Sequence, residues 1–206
     1  MNTTEPLPPL LKARIRHSWM AGIAVLAVLL VTDGAFAYGG AFRVACEWLS
    51  YAALVFCVLG RGWCSAYIGG RKKYELIKIG PYSVTRNPLY VFSFIGVVGI
   101  GFASGVFTYV VLLPLLFAAY YRVVVRREEA YLLAAFGKDY ENYMLTVPRW
   151  MPNFALWRDA DEITVMPHYL RHTLRDSAAF FLALPLLQFI QYLHASGALP
   201  VLLRLP

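Results

Sequence analysis

The chain has 206 residues, of which 59% are hydrophobic and 15% are charged, and its mean hydropathy is +0.55. A soluble protein of this size would lack the polar side chains to cover its surface, so the composition excludes an ordinary soluble domain and favours a membrane protein. The formal net charge of +7 suits either nucleic acid binding or the flanks of membrane helices, and the positions of the charges decide between them.

The first two apolar segments cover residues 19–38 and 42–63, and each is close to the ~20 residues that a helix needs to cross a bilayer. The first segment exceeds the usual h-region of a signal peptide and has no clear cleavage site, so we expect it to remain as a membrane span. Cys46, Cys57 and Cys64 lie in or beside the second segment without a C-x-x-C spacing. We therefore expect buried thiols and no disulfide framework.

A long apolar stretch covers residues 90–121, and its middle, residues 101–105, contains the small residues that a tight helical hairpin uses. Because these glycines lie within an apolar stretch, they predict close helix packing and not a dinucleotide-binding loop. The last apolar segment covers residues 177–197 and contains Pro185, a candidate kink. Together the segments predict a single all-α domain over residues 1–206, with about five transmembrane helices.

The basic residues are concentrated on one side of this predicted bundle. With the N-terminus in the cytoplasm and five spans, residues 1–18, 61–88 and 122–176 all face the cytoplasm. They contain three, six and eight Lys or Arg residues, which is 17 of the 19 in the chain. Because the positive-inside rule explains this distribution, we attribute the basic charge to membrane topology and expect no nucleic acid partner.

The connector before the third span has the sequence GPYSVTRNPLY at residues 80–90. Pro88 suits the first turn of a helix and favours an extended Asn87, which is then a candidate N-cap. A helix start with free N–H groups beside Arg86 suits a carboxylate or a phosphate. The alternative is a plain loop with a helix cap.

The segment after the fourth span begins with RREE at residues 126–129 and continues AYLLAAFGKDYENYMLTVPRWMP. We expect the fourth helix to run on out of the bilayer and to end at Gly137, a candidate C-cap. One interpretation of the charges is a solvated cluster with i,i+3 and i,i+4 pairs. The other is a polar cavity or a cationic ligand, since glutamates this close to a membrane border are otherwise costly.

The two motifs together, GPYxxxRNPxY and EExxLxxxFGxxYxxYxxxVPRWxP, resemble the isoprenylcysteine carboxyl methyltransferase and phospholipid methyltransferase superfamily. The resemblance covers residues 80–152, and the order and spacing hold across both motifs. It implies an integral-membrane enzyme that binds S-adenosylmethionine on the cytoplasmic side. The cofactor would lie between the proline-containing helix start and the helix with the paired glutamates.

Carried over by position, the resemblance implies a cofactor cleft with two walls. The first wall contains Gly80, Pro81, Tyr82, Arg86, Asn87, Pro88 and Tyr90. The second wall contains Glu128, Glu129, Tyr140, Tyr143 and residues 148–150. Tyrosine faces stabilise a sulfonium cation, and carboxylates hold an amino group or ribose hydroxyls, so these residue types suit that cofactor.

The chain departs from the family pattern at two positions. Asn87 stands where the family often has His, and it keeps hydrogen bonding without carrying a charge. The carboxyl-methylating branch has an Arg one turn before the first glutamate, where this chain has Val124. Arg122 and Arg126 lie nearby, and we take them, with Glu128, as the candidate catalytic residues. The two arginines would hold an anionic group of the acceptor.

The C-terminal part, residues 153–206, lies outside the motifs. We expect a polar connector with Phe154, Leu156 and Trp157 at the membrane interface, followed by the last helix. His168 and His172 have the i,i+4 spacing of zinc ligands. However, the glutamate of HExxH is missing and no third ligand is evident, so we expect no metal.

The sequence thus predicts an integral membrane protein whose N-terminus and active site face the cytoplasm. It would methylate an amphipathic or lipid-like small-molecule substrate with S-adenosylmethionine, by either carboxyl O-methylation or lipid amine N-methylation. An NADPH-dependent membrane reductase of the sterol type is one alternative, and it would need basic groups for the cofactor phosphates. A non-catalytic membrane scaffold is another, against which the intact glutamate pair and the Tyr-rich loop argue.

Overall fold

The computed structural model describes residues 20, 24–34, 39–71 and 74–206, and it is mostly helical. Among the described residues before β1, residues 20 and 24–29 are helical. The elements that follow are β1 (Thr32–Gly34), α1 (Ala41–Ile68), α2 (Pro81–Val84), α3 (Pro88–Ala103), α4 (Phe107–Phe136), α5 (Lys138–Thr146), a 3-10 turn (Phe154–Leu156), α6 (Pro167–Ala195) and β2 (Leu203–Leu205). The predicted all-α fold is confirmed.

Three helices, α1, α4 and α6, are long and apolar enough to cross a membrane, while α3 is apolar but shorter. Helix α4 has 30 residues, which is about 45 Å at 1.5 Å per residue, and a hydrocarbon core is only about 30 Å thick. Part of α4 therefore extends beyond the apolar layer, as the charged RREE stretch predicts, and it ends at Gly137 as expected. The chain is an integral membrane protein with several transmembrane helices.

Helices α3 and α4 form the predicted hairpin around residues 101–105. Gly105 in the connection has a φ of +67°, which an L side chain rarely adopts. At Gly101, an added Cβ would lie 2.8 Å from the Cα of Val110. Only glycine therefore allows the two helices to approach this closely, and the small residues of the stretch serve packing.

The main apolar core lies where α3 packs against α1, α4 and α6. One side of each of these helices is buried against its neighbours. The opposite side is apolar and exposed, as lipid contact requires. Pro185 lies inside α6, as predicted. The buried members of this core are Leu29, Leu54, Ala103, Val106, Tyr109, Leu113, Leu184 and Leu187.

Two predicted boundaries are wrong. The first predicted span, residues 19–38, does not stay helical to its end, because residues 32–34 form strand β1; residues 19, 21–23 and 35–38 lie outside the described residues. Helix α1 continues to Ile68, although the predicted second span ended at residue 63. Arg61, which the charge count assigned to the cytoplasmic segment 61–88, is a helical residue that faces the helix bundle.

The bundle has two ends with different contents. At the strand end, β1 pairs in parallel with β2, with Asp33 opposite Arg204. At the motif end, α1 and α4 finish, α3 and α6 begin, and the loops carry both sequence motifs. Cys46, Cys57 and Cys64 lie along α1 between the two ends, and all three are buried and free, as expected.

Candidate active site

The first motif forms a loop that is tied to the chain beyond the second motif. Gly80 has a φ of +57°, and its N–H donates to the Arg158 carbonyl at 2.7 Å. Pro81 begins the one-turn helix α2, in which the Ser83 hydroxyl donates to the Gly80 carbonyl at 2.7 Å. Ser83 Oγ also accepts the Arg158 N–H at 3.1 Å. The loop and the connector after residue 152 thus fix each other.

The VPRW segment of the second motif packs directly on the first. The Arg86 N–H donates to the Pro148 carbonyl at 2.9 Å, and Asn87 Nδ2 donates to the Arg149 carbonyl at 3.1 Å. Asn87 precedes Pro88, the first residue of α3, as predicted, but its side chain makes no capping hydrogen bond. Asn87 is thus the N-cap residue of α3, as predicted, while its side-chain amide joins the two motifs.

A buried carboxylate joins the motifs a second time. Arg149 contacts both oxygens of Glu129, with Nη2 2.7 Å from Oε2 and Nε donating to Oε1 at 3.1 Å. Arg86 Nη1 lies 3.1 Å from the same Oε1. The side chains of Glu129 and Arg86 are only 7% and 9% exposed, so their charges interact with little screening by water. This three-residue cluster clamps the start of α3 against α4.

Arg86 has donors that this cluster does not satisfy. Its Nε and Nη1 atoms are buried and make no hydrogen bond to any residue of the described ranges, since the approach of Nη1 to Glu129 is an ion pair without hydrogen-bond alignment. A buried donor without an acceptor costs about 1–3 kcal/mol. Arg86 lines a cavity, and an anion bound there would remove this cost.

Glu128, the first glutamate of the pair, contacts a different partner. The Tyr90 hydroxyl donates to Glu128 Oε1 at 2.9 Å. The ring centroid of Tyr90 lies 4.8 Å from that of Tyr121. A carboxylate beside two aromatic rings forms a surface that suits a cation or a group of hydroxyls.

These groups meet in a cavity of about 440 Å³ at the motif end. A second and more open hollow, of about 550 Å³, touches Arg86 but none of the motif glutamates or tyrosines. The predicted residues that line the 440 Å³ cavity come from both motifs and are Tyr82, Arg86, Asn87, Tyr90, Glu128, Glu129, Tyr140 and Tyr143. The apolar residues that line it are Ile68, Leu76, Ile77, Leu89 and Leu132.

The other predicted site residues do not line the cavity. Gly80, Pro81 and Pro88 form the loop and the helix start that position its wall. Arg122 and Arg126 lie on α4 with exposed side chains, outside the cavity lining. The structure therefore brings the glutamates to the cavity but leaves these two candidate catalytic arginines at the surface.

Sequence reasoning missed four polar residues that line the cavity, namely Arg61, Glu75, Ser93 and Tyr121. Arg61 was missed because it was counted among the cytoplasmic charges, and Ser93 because it lies in a span. The available signal was the position of Arg61 itself. It interrupts an apolar run well before the basic cluster at residues 71–73, and a charged residue inside a membrane helix indicates a functional site.

Three tyrosines pack together under the cavity. The Tyr143 hydroxyl donates to the Tyr82 carbonyl at 2.7 Å, and its ring centroid lies 5.8 Å from that of Tyr140. Burial raises the pKa of Tyr140 to about 12, and the Glu129 carboxylate acts in the same direction. Burial also raises the pKa of Tyr82 and the pKa of Tyr143. At physiological pH all three phenols are therefore neutral hydrogen-bonding groups.

The histidines of HYLRH make a different contact from the one their spacing suggests. His172 Nδ1 lies 3.0 Å from Asp176 Oδ2, one turn further along α6. In the described part of the chain, no group of three or more His, Cys, Asp or Glu side chains is placed to hold a metal ion.

Comparison with known proteins agrees with the motifs. The sequence model of the phospholipid methyltransferase family matches residues 37–139, which is half of the chain. The match includes the first motif and the paired glutamates, and it confirms the resemblance that the two motifs indicate. No solved structure shows a significant match to the chain.

Individual relatives extend this result over more of the chain. The nickel-cobalt-cadmium resistance protein NccN of Alcaligenes xylosoxydans xylosoxydans is 30% identical over 98% of this chain and 94% of its own length. The cobalt-zinc-cadmium resistance protein CzcN of Cupriavidus metallidurans is 31% identical over 76% of this chain and 72% of its own. The protein-S-isoprenylcysteine O-methyltransferase of Schizosaccharomyces pombe is 35% identical over 39% of this chain and 34% of its own.

Proposed function

Because the chain belongs to the phospholipid methyltransferase family, we propose that it transfers a methyl group from S-adenosylmethionine to an amphipathic or lipid-like acceptor. The observation that carries this proposal is the cavity in which both motifs meet. Its volume of about 440 Å³ lies within the range of about 300–1,000 Å³ that is usual for small-molecule sites. The family match also favours a methyltransferase over the reductase and scaffold alternatives.

The cavity residues fit the three parts of the cofactor. The unsatisfied donors of Arg86 suit the carboxylate of its amino-acid head. Glu128 suits its ammonium group or its ribose hydroxyls. The rings of Tyr90 and Tyr121 suit a sulfonium cation. We therefore assign Arg86, Glu128 and the two tyrosines to cofactor binding.

The protein's contribution to such a reaction is orientation and exclusion of water. S-adenosylmethionine supplies an electrophilic methyl group whose cationic sulfur becomes neutral on transfer. The clamp between Arg86, Glu129 and Arg149 fixes the cavity wall, so bound groups are held in one arrangement. The apolar lining from Leu89 and Leu132 excludes water. No acid–base group is required for a carboxylate acceptor.

We further propose that the cavity faces the cytoplasm and opens toward the membrane. The charge count supports this orientation, because the segments around both motifs carry most of the Lys and Arg residues. An amphipathic acceptor dissolved in the bilayer would then reach the cavity along the apolar surfaces of the helices.

The names of the two bacterial relatives suggest a physiological role. Both are named as proteins of resistance to cobalt, cadmium and a further divalent metal, and NccN aligns with nearly the whole chain. We propose that methyl transfer by this chain contributes to resistance against such metals. The test is growth of a strain that lacks the gene in cadmium and cobalt, with the wild-type gene or Glu128→Ala supplied. If Glu128→Ala restored growth as well as the wild-type gene does, resistance would not depend on methyl transfer.

Calorimetric titration of S-adenosylhomocysteine into the purified protein tests the proposed cofactor. The wild type should bind, and Glu128→Ala and Tyr90→Phe should each bind about tenfold more weakly or worse, because each loses a contact to a charged group. Glu141→Ala and Tyr131→Phe are matched controls, since both side chains are exposed. Absence of binding in folded wild-type protein would refute the proposal, and NADPH would then be titrated.

A further inference from the structure

We propose that Arg61 binds an anionic group of the methyl acceptor, so that the acceptor is an amphiphile carrying a carboxylate or a phosphate. This inference rests on the proposed function of the cavity and narrows it. It assigns to Arg61 the role that the sequence gave to Arg122 and Arg126, whose side chains are exposed outside the cavity.

Arg61 lies inside a membrane helix and not in the loop that follows it. It is two turns before the end of α1, inside a helix that is apolar enough to cross a membrane. An arginine at such a position costs at least about 2.5–3.5 kcal/mol when it is near the bilayer centre. A residue with this cost needs a compensating role, in packing, in ion pairing or in ligand binding.

The contacts of Arg61 hold it in place but do not neutralise it. Its Nε donates to Ser177 Oγ at 2.7 Å, its Nη1 donates to Ser93 Oγ, and its guanidinium lies 6.0 Å from the ring centroid of Phe180. These partners are two hydroxyls and an aromatic ring. No carboxylate of the described residues forms an ion pair with Arg61, and Nη2 makes no hydrogen bond within the described ranges.

The other cavity arginine is in a different electrostatic state. Arg86 lies against Glu129, which also contacts Arg149. Arg61 therefore keeps an uncompensated positive charge, since no acidic side chain of the described residues lies within ion-pair distance of it. Water screens this charge little in these surroundings. Three helices converge on it, since Ser93 lies on α3 and Ser177 on α6. A guanidinium pre-positioned by two hydroxyls is suited to grip a planar carboxylate or a phosphate.

The lining next to Arg61 indicates that the anion belongs to an amphiphile. Ile68 and Leu89 line the same cavity, and Ser93 and Arg61 lie further along those helices, toward the apolar core. A ligand whose charged group reaches Arg61 would thus have an apolar part alongside these helices. A free, fully hydrated anion would gain little from such surroundings.

The experiment uses the purified full chain in neutral detergent and four probes with the same alkyl chain: octanoate, octyl phosphate, octanol and octylammonium. Binding of each is measured by the shift of the thermal unfolding midpoint and by titration, with and without saturating S-adenosylhomocysteine. The variants are Arg61→Gln and Arg61→Lys, and Arg127→Gln is the matched control because its exposed side chain lies outside the cavity.

We expect octanoate or octyl phosphate to bind the wild type and Arg127→Gln, and octanol and octylammonium to bind more weakly. Arg61→Gln should reduce the anion affinity about tenfold or more, and Arg61→Lys should retain part of it. Preference for octanoate would identify a carboxylate acceptor, and preference for octyl phosphate would identify a phosphate headgroup.

Equal anion binding by folded Arg61→Gln and the wild type would overturn the inference. Loss of S-adenosylhomocysteine binding in Arg61→Gln and Arg61→Lys would also overturn it, since Arg61 would then belong to the cofactor. If the wild type does not bind S-adenosylhomocysteine but still binds octanoate through Arg61, the proposed cofactor fails while the anion site stands.

Discussion

Both ends of the bundle contain a buried arginine paired with a carboxylate, and the pair at the motif end lines a cavity of about 440 Å³. At the strand end, Arg43 Nη2 lies 2.6 Å from Asp33 Oδ1, and the Arg43 side chain is 3% exposed. At the motif end, Glu129 lies between Arg86 and Arg149. The difference lies in what surrounds each pair, so a buried ion pair alone does not identify a functional site.

The surroundings of the strand-end pair are filled by backbone and by amide groups. A Cβ added at Gly34 would lie 2.5 Å from the Gly105 carbonyl oxygen, and one added at Gly105 would lie 3.2 Å from Gln191 Nε2. Gln191 Nε2 itself donates to the Ala103 carbonyl at 2.7 Å. This end therefore holds the first strand, the hairpin and the C-terminal strand together. The motif end instead surrounds its ion pair with a cavity of about 440 Å³.

The largest expected effect comes from breaking the motif-end cluster. Glu129→Gln leaves Arg86 buried without its counter-charge, and we expect a loss of about 3–5 kcal/mol in the free energy of unfolding. S-adenosylhomocysteine binding should be lost as well, because the cavity wall is no longer fixed. Denaturant unfolding and calorimetry on the same sample measure both. Unchanged stability would show that the cluster contributes no net free energy.

The strand-end pair provides the matching experiment. Arg43→Met removes the partner of Asp33, whose side chain is 20% exposed and so retains some contact with water. We expect a smaller loss of about 1.5–3 kcal/mol in the free energy of unfolding. S-adenosylhomocysteine affinity, measured by calorimetry at a temperature where the variant is folded, should stay at the wild-type value. A parallel loss of affinity would mean that the two ends are coupled.

How well the sequence predicts each end of the bundle depends on whether the important residues of that end belong to a local motif. The motif end could be predicted because its glutamates and tyrosines stand at fixed spacings in two motifs. Arg61 could not, because it was counted among the cytoplasmic charges although it lies inside α1. The strand end could not be predicted either. Its strands have three residues each, which is too short for a periodic pattern, and its ion pair joins residues without any motif.

The side chain of Asn87 shows a different limit of the sequence prediction. Its position before Pro88 is typical of an N-cap, and the sequence contains no sign that another acceptor will compete. In the folded chain the Arg149 carbonyl, which is distant in sequence, accepts its amide. Local propensity thus placed the residue correctly at the helix start, while a tertiary contact decided what its side chain does.

Two buried tyrosine hydroxyls allow a closer comparison of the ends. Tyr143 donates to the Tyr82 carbonyl at 2.7 Å, and Tyr109 shares a hydrogen bond of 2.8 Å with Thr32 Oγ1 at the strand end. Tyr143→Phe and Tyr109→Phe should each reduce the free energy of unfolding by about 0.5–1.5 kcal/mol. Only Tyr143→Phe should also weaken S-adenosylhomocysteine binding in calorimetry, because Tyr143 and Tyr82 line the cavity. Equal S-adenosylhomocysteine affinity in Tyr143→Phe and Tyr109→Phe would contradict this expected difference between the two ends.

The smallest expected effect concerns Asn87, whose amide donates to the Arg149 carbonyl at 3.1 Å. Asn87→Ala removes one neutral hydrogen bond between the motifs, so we expect a loss of about 1 kcal/mol in the free energy of unfolding. Asn153→Ala is the control for the same substitution, since Asn153 is exposed and its side chain only accepts the Ala155 N–H at 3.1 Å. Because Asn153 is the N-cap of the 3-10 turn, Asn153→Ala should lower the free energy of unfolding by a similar amount, about 0.5–2 kcal/mol.

The Asn87 variant also tests whether the clamp matters beyond stability. Loss of the amide leaves the Arg149 backbone less restrained, and Arg149 is one of the two cations on Glu129. S-adenosylhomocysteine affinity should therefore fall in Asn87→Ala by a few-fold, about what 1 kcal/mol allows, and stay unchanged in Asn153→Ala. If the affinity is unchanged in both, the motifs are held by the ion pairs alone, and Asn87 acts at this end as the amide of Gln191 does at the other, as a purely structural contact.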